Sequence, residues 1–223
     1  MNLDFQPLWL TFKLAIITTA ILLIIGTLIA GFLAHRSFRL KAVIEAMISL
    51  PLVLPPSVLG FYLLIAFSPE SVFGKLLQSI FNIRLIFSFP GLVIGSLIYS
   101  LPFMVHPIQA GLQGLPSSLK EAAFTLGKSN MKTLTSVLLP NIKPAMLTGI
   151  VLTFAHTVGE FGVVLMIGGN LEGKTRVASI AVFDEVEAMN YHAANIYSLL
   201  LISFSFCILL MVYLLNRRIL KSN

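Results

Sequence analysis

Two stretches of this 223-residue sequence place residue types at spacings that could do chemistry. The first is Gly168-Gly169-Asn170-Leu171-Glu172-Gly173-Lys174-Thr175, a literal G-x-x-x-x-G-K-[ST]. In a nucleotide-binding loop the amides cradle phosphates, the Lys reaches them and the Thr hydroxyl meets magnesium. The β-branched run Val163-Val164-Leu165-Met166-Ile167 precedes it, and Ile180-Ala181-Val182-Phe183-Asp184-Glu185 imitates a strand ending on a metal-binding Asp. Chain geometry argues against this reading. A phosphate loop needs a helix beginning at its end, and returning to a parallel strand takes about a dozen residues or more. Thr175 and Ile180 are too close for that, so the stretch reads as a Gly-rich exit from a membrane helix. The second is Glu160, an acid inside an apolar run, with His156 one helical turn before it. The pair could share a face and a hydrogen bond. Intramembrane carboxylates are expensive and point by default to function. Glu160 is therefore read either as helix–helix glue or as part of a hinge or gate formed by Gly159, Glu160, Phe161 and Gly162.

The elements that must position these residues are membrane helices. Apolar side chains make up 57% of the chain and charged ones only 11%, against about 25% charged in soluble domains. A soluble enzyme, a nucleic-acid binder and a disordered chain are excluded on that ground. Apolar runs at residues 8–34, 43–67, 85–111, 145–168 and 196–215 are each long enough to cross a ~30 Å hydrocarbon layer. With no alternating pattern to suggest a barrel, the expected fold is all-α: a polytopic membrane protein with about five transmembrane helices, residues 1–223 forming a single transmembrane domain. The first run starts near Asp4 without a basic region, so it reads as a retained helix rather than a signal peptide. Prolines crowd the second run (Pro51, Pro55, Pro56) and the third (Pro90, Pro102, Pro107), predicting kinks. Gly91-x-x-x-Gly95 permits close helix approach. Cys207 stands alone in an apolar run, and the four His are scattered without ligand spacing, so neither a metal site nor a cofactor is expected.

Charge sets the orientation. Arg36, Arg39, Lys41, Lys120, Lys128, Lys132, Lys143, Arg217, Arg218 and Lys221 fall on one side, with Glu45 and Glu121 the only acids beside them. The other side is slightly acidic. Positive residues favour the cytoplasm, which places the N-terminus outside and the C-terminus inside a bacterial cytoplasmic membrane.

That basic face contains the loop at about 114–143. Pro116 and Ser117-Ser118 read as a helix start, with a serine cap and Glu121 in the first turn. Leu119, Ala122, Ala123 and Leu126 share a small apolar face, and Gly127 marks a stop or sharp turn. A second short helix over about 130–138 follows, before Pro140. Glu121-Ala122-Ala123, then Gly127 after three intervening residues, then Leu139-Pro140, resembles the signature loop of binding-protein-dependent ABC importer permeases. Ser49-Leu50-Pro51-Leu52-Val53-Leu54-Pro55-Pro56-Ser57 and its continuation to Tyr62 resembles the second helix of molybdate permeases. Gly159-Glu160-Phe161-Gly162, with Gly169-Asn170 and Thr175-Arg176, resembles the same branch.

The resemblance implies a transport subunit without a nucleotide site of its own, moving an oxyanion. Molybdate comes first, with tungstate or sulfate and thiosulfate as alternatives. It implies a homodimer in membrane lipid, a cytoplasmic ABC ATPase dimer docking on Glu121, Ala122, Ala123, Gly127, Leu139 and Pro140, and an extracytoplasmic substrate-binding protein. Pathway or gate residues would be Gly159, Glu160, Phe161 and Gly162 with Pro55 and Pro56. Some relatives carry an additional N-terminal helix that this chain is expected to lack. The outer loops around 68–84 and 169–192 would receive the binding protein, and Asp184, Glu185 and Glu187 could meet basic groups on it. An ion-coupled secondary carrier is the alternative from another class, but it would need internal repeats and midplane charge, and neither is evident.

Overall fold

The computed structural model describes residues 4–221, with the side chains of 77, 81 and 215–221 outside the description. The calls on Arg217, Arg218 and Lys221 therefore lie outside the described side chains. Twelve α-helices in chain order carry the fold, and no strand occurs among the described residues. Helix α1 (Gln6–His35) runs for 30 residues, about 45 Å at 1.5 Å per residue, and crosses the apolar layer alone. Helix α5 (Phe89–Gln113) and helix α12 (Tyr191–Lys221) are likewise continuous.

The other two runs are broken. Residues 43–67 do not form one straight span: α2 (Lys41–Val53) and α3 (Pro56–Phe67) meet at 114°. The cause is local. Leu54 precedes a proline and is extended (ψ 136°), as Pro Cδ requires of its neighbour. Pro55 continues extended, and Pro56 then starts α3 where a missing N–H costs nothing. Residues 145–168 split into α9 (Lys143–Gly159) and the short α10 (Gly162–Gly168), with Glu160 extended between them. The kinks expected of Pro102 and Pro107 do not interrupt α5, which stays helical through both. Residues 68–84, expected as loop, contain α4 (Val72–Phe81), capped by Ser71. The strand-like 180–185 is in fact helical, within α11 (Ala178–Glu187).

Helix α5 sits at the centre, packed against α1 and α9, which also meet each other. Met104, Val105 and Ile108 are fully buried there, with Leu22, Ala30 and Leu33 from α1. The same cluster reaches Leu138 and Ile142 in the 114–143 segment and takes in Leu119 at its edge. Helix α12 lies outside this core and exposes Leu199, Ile202, Phe206 and Tyr213. Cys207 is exposed on it, which suits a lipid-facing position.

A long-range cap ties the outer helix α11 to α1. The N-cap position of α11, Val177, offers no side-chain acceptor, so the buried amide of Ala178 needs one from elsewhere. Thr11 supplies it: its Oγ1 accepts from Ala178 N at 2.8 Å and donates to Pro7 O at 2.8 Å. Thr11→Val keeps the shape and removes the acceptor, leaving a buried N–H unpaired at about 1–3 kcal/mol. Thermal unfolding in detergent checks this: Thr11→Val lowers stability by that amount, whereas Thr11→Ser retains most of it.

Candidate functional site

The 114–143 segment is a helix, a left-handed turn and a second bent helix. Helix α6 (Ser117–Thr125) begins after Pro116, which occupies the N-cap without a side-chain bond. The expected serine caps are thus not used, and Glu121 falls past the first turn. Gly127 closes the helix at φ +72°. Lys128 N donates to Ala123 O and Gly127 N to Phe124 O, the paired end bonds of a helix finished by a left-handed glycine. A Cβ on Gly127 would meet no atom within 4 Å, so the glycine is there for its backbone conformation, not for close packing of the two segments.

After the turn, α7 (Asn130–Thr133) is capped by Ser129 and widens into a π turn at Leu134–Leu138. Pro140 explains the widening. It lacks the N–H that would continue the helix ladder, and Leu139 N instead reaches Leu134 O, five residues back. The short α8 (Leu139–Asn141) then leads into α9 through an 85° bend. On α6 only Ala123 is buried; Ala122, Phe124 and Leu126 face outward, Leu126 at 78% exposure. The expected face is therefore divided: Leu119 and Ala123 pack inward, and Ala122 and Leu126 stand free. Among the described residues Glu121 forms no ion pair, and its carbonyl accepts from Thr125 Oγ1.

The second cluster sits where α9 breaks. Glu160 is only 4% exposed. Ser96 Oγ on α5 donates to its Oε2 at 3.1 Å, while Oε1 is buried with no partner among the described residues. Ser179 Oγ on α11 donates to the Glu160 carbonyl freed by the break, at 2.6 Å. One turn earlier His156 does not bond Glu160; its Nδ1 meets Ser100 Oγ at 3.0 Å. Helices α5 and α9 therefore form two rungs, Ser96 to Glu160 and Ser100 to His156. Thr157 donates to Thr153 O at 2.8 Å, so Ser100, 3.1 Å from Thr157 Oγ1, must donate to it. His156 Nδ1 is then the donor to Ser100, and the imidazole is stacked 4.0 Å from Phe103. Hydrogen-bond logic assigns this tautomer.

Both broken helices converge here. Gly162, the first residue of α10, lies so close to α3 that a Cβ would stand 2.6 Å from Pro56 Cβ and 3.3 Å from the Pro56 carbonyl carbon. Pro56, Ser57, Tyr99, His156, Glu160 and Gly162 line a cleft of about 550 Å³ at this junction. The structure thus gathers Pro56, Gly159, Glu160, Phe161 and Gly162 at one place. Tyr99, Ser57, Ser96 and Ser100 join them, and the sequence reading missed these four. Only the i, i+4 spacing of Ser96 and Ser100 could have signalled them.

The nucleotide-loop lookalike has a different role. Thr175 is fully buried, with its Oγ1 donating to Gly168 O at 2.7 Å and accepting from Leu171 N at 2.9 Å. Gly169 is left-handed at the end of α10. The motif is a self-bonded turn leaving a helix. Asp184 accepts from Asn170 and pairs with Arg176 at 2.9 Å, and Glu185 accepts from Asn190 at 2.7 Å. These two acids hold their own loop together, which leaves Glu187 least engaged of the three.

A helical core with broken helices facing a cleft, joined to a helix–turn–helix at one end, is the fold seen in solved ABC transporter membrane subunits. The chain belongs to the family described as binding-protein-dependent transport system inner membrane component, with residues 23–221 matching it. It is 46% identical to the molybdenum transport system permease protein ModB of Azotobacter vinelandii over 94% of this chain and 93% of that protein. It is 36% identical to the sulfate transport system permease protein CysT of Synechocystis, over 87% of this chain and 68% of that one. The crystal structure of a bacterial ABC transporter that imports alginate superimposes at a TM-score of 0.82 with 16% identity, covering 98% of this chain and 80% of that one. The methionine transporter MetNI superimposes at 0.72 with 17% identity, covering 99% and 95%; both structures speak for the fold.

The contact between Gly162 and Pro56 yields a prediction with a built-in control. Gly162→Val must push α3 from α10 and lowers thermal stability by about 1–3 kcal/mol. Gly159→Ala, where a Cβ meets nothing within 4 Å, leaves the melting temperature of the purified protein close to that of the parent.

Proposed function

We propose that this chain is the permease subunit of an ATP-driven importer for molybdate. It would work as a homodimer with a separate cytoplasmic ATPase dimer and an extracytoplasmic binding protein. The single observation that carries this reading is the similarity to ModB over nearly the full length of both proteins. The 36% identity to a sulfate permease keeps sulfate as the second substrate to test. In this reading the N-terminus lies outside and the C-terminus in the cytoplasm, as the excess of Lys and Arg on one side favours.

Helix α6 is the part the ATPase would push. Its outward residues Ala122 and Leu126 are free to enter a groove, while Ala123 and Leu119 tie it to the α1–α5 core. Gly127, Leu139 and Pro140 shape the segment, Gly127 setting the turn and Pro140 the π widening that Leu139 N closes on Leu134 O, while Glu121 stands exposed for the partner. Force applied to α6 then reaches Ile142 and α9 through packed side chains. At the far end of α9, the break at Glu160 and Phe161 acts as the gate hinge, with α10 and Pro55-Pro56 of α3 moving as one unit through the Gly162 contact. No Lys or Arg lines the cleft, so the pathway would pass a dianion without gripping it, and selectivity would rest with the binding protein.

Gly127→Val places a β-branched residue at φ +72°, a strain of about 1–2 kcal/mol confined to the exposed turn. Affinity pull-down of the ATPase checks the coupling role. The variant still inserts in the membrane but captures markedly less ATPase than the parent. Undiminished capture by a properly inserted variant would contradict it.

A further inference from the structure

We propose that the end of α1 carries a binding site for one anionic glycerophospholipid, wedged between α1 and the coupling segment. Its placement at the inner leaflet rests on the orientation argued above. Of the three cavities on the end of α1, two share a wall across Leu28 and Phe32. One, of about 440 Å³, is lined by α1, α6, α7 and the π turn. His35, Arg36 and Lys120 bring it positive or polar groups, and Leu134 and Leu138 give it an apolar floor. No Asp or Glu lines it. The other, of about 630 Å³, runs between α1, α2 and α5 and is bounded by Ile44, Met47 and Ile48, again without an acid. Both share Leu28 and Phe32 as walls.

The cations are held but not spent. Arg36 stands over the Phe32 ring at 5.2 Å, and Lys120 over the Phe124 ring at 5.7 Å. Among the described residues neither forms an ion pair with an acid. His35 uses Nδ1 on Gly31 O at 3.0 Å; because a carbonyl can only accept, Nδ1 carries the proton, which leaves Nε2 uncommitted. Basic pockets beside membrane helices on the cytoplasmic side suit acidic lipid headgroups. A phosphodiester fits the Arg36–Lys120 cavity, and an acyl chain fits the groove across the Leu28–Phe32 ridge. A soluble phosphate would leave that groove empty, and an acidic side chain of a protein partner would have no use for it. The ligand that matches both halves is therefore a lipid with a net negative head. Because Lys120 and Phe124 belong to α6, its occupancy braces the coupling segment against α1.

Native mass spectrometry of the purified permease, with phosphatidylglycerol or phosphatidylcholine added, tests this. The parent retains phosphatidylglycerol in preference to phosphatidylcholine. The double variant Arg36→Gln/Lys120→Gln lowers phosphatidylglycerol occupancy by roughly 30-fold, the loss expected of two surface cations. Lys128→Gln/Lys132→Gln, on the same segment but outside the cavity, leaves it unchanged. Equal loss in both double variants, equal retention of the two lipids, or displacement by millimolar inorganic phosphate would overturn the proposal. Loss of the lipid on adding the ATPase dimer would also overturn it, since the pocket would then belong to that partner. The orientation is read separately, by thiol labelling of Lys128→Cys in a Cys207→Ala background. Labelling from outside the cell would sink the orientation, while lipid occupancy of the purified protein is measured independently of it.

Discussion

The fold depends on keeping α5 enclosed between α1 and α9. In a membrane there is no hydrophobic gain from bringing apolar helices together, so packing and interhelical hydrogen bonds must do it. Here the packing is Met104, Val105 and Ile108 against Leu22, Ala30 and Leu33, and the polar ties are Ser96 and Ser100 on α5 bonding Glu160 and His156 of the α9 end. That enclosure also ties in the 114–143 segment. Leu138 and Ile142 belong to the same cluster as Ile108, so α6 and the π turn cannot shift without repacking the core.

The same constraint explains where the helices are allowed to break. Backbone amides and carbonyls without partners are tolerated at membrane depth only when protein or a polar cavity covers them. The break at Glu160 meets that condition through Ser179, which caps the exposed carbonyl, and the break at Pro55-Pro56 uses two residues that have no N–H to satisfy. The two breaks then lie against each other at Gly162, and α10 also packs on α5 through Val163 and Ile167 at Gly95. The Glu160 carboxyl beside them is bonded by a single hydroxyl, that of Ser96.

Local signals were legible in the sequence, and distant ones were not. The left-handed turn at Gly127 could be read because it depends on a glycine and its own neighbours, and the all-α membrane character followed from hydropathy alone. Hydropathy gives the 43–67 run as one crossing and Pro55-Pro56 signal a bend within it; the size of that bend, 114°, depends on what α3 packs against and is not legible locally. Pro102 and Pro107 do not end α5, which stays helical through both. Residues 180–185 imitate a strand through Ile180, Val182 and Phe183, and the helix start that overrides this is capped by Thr11, 167 residues away in the chain. The spacing of His156 and Glu160 permits a hydrogen bond between them; the serines on α5 that claim them instead lie about 60 residues upstream.

The central claim is that transport through this chain is driven by ATP hydrolysis on a partner and supplied by a binding protein. Molybdate uptake into proteoliposomes holding the permease with its ATPase measures it directly, with ATP and the binding protein each added or withheld. The account predicts uptake only when both are present, and none with a proton or sodium gradient alone. Uptake driven by such a gradient in the absence of ATP would contradict it and would make this chain a secondary carrier.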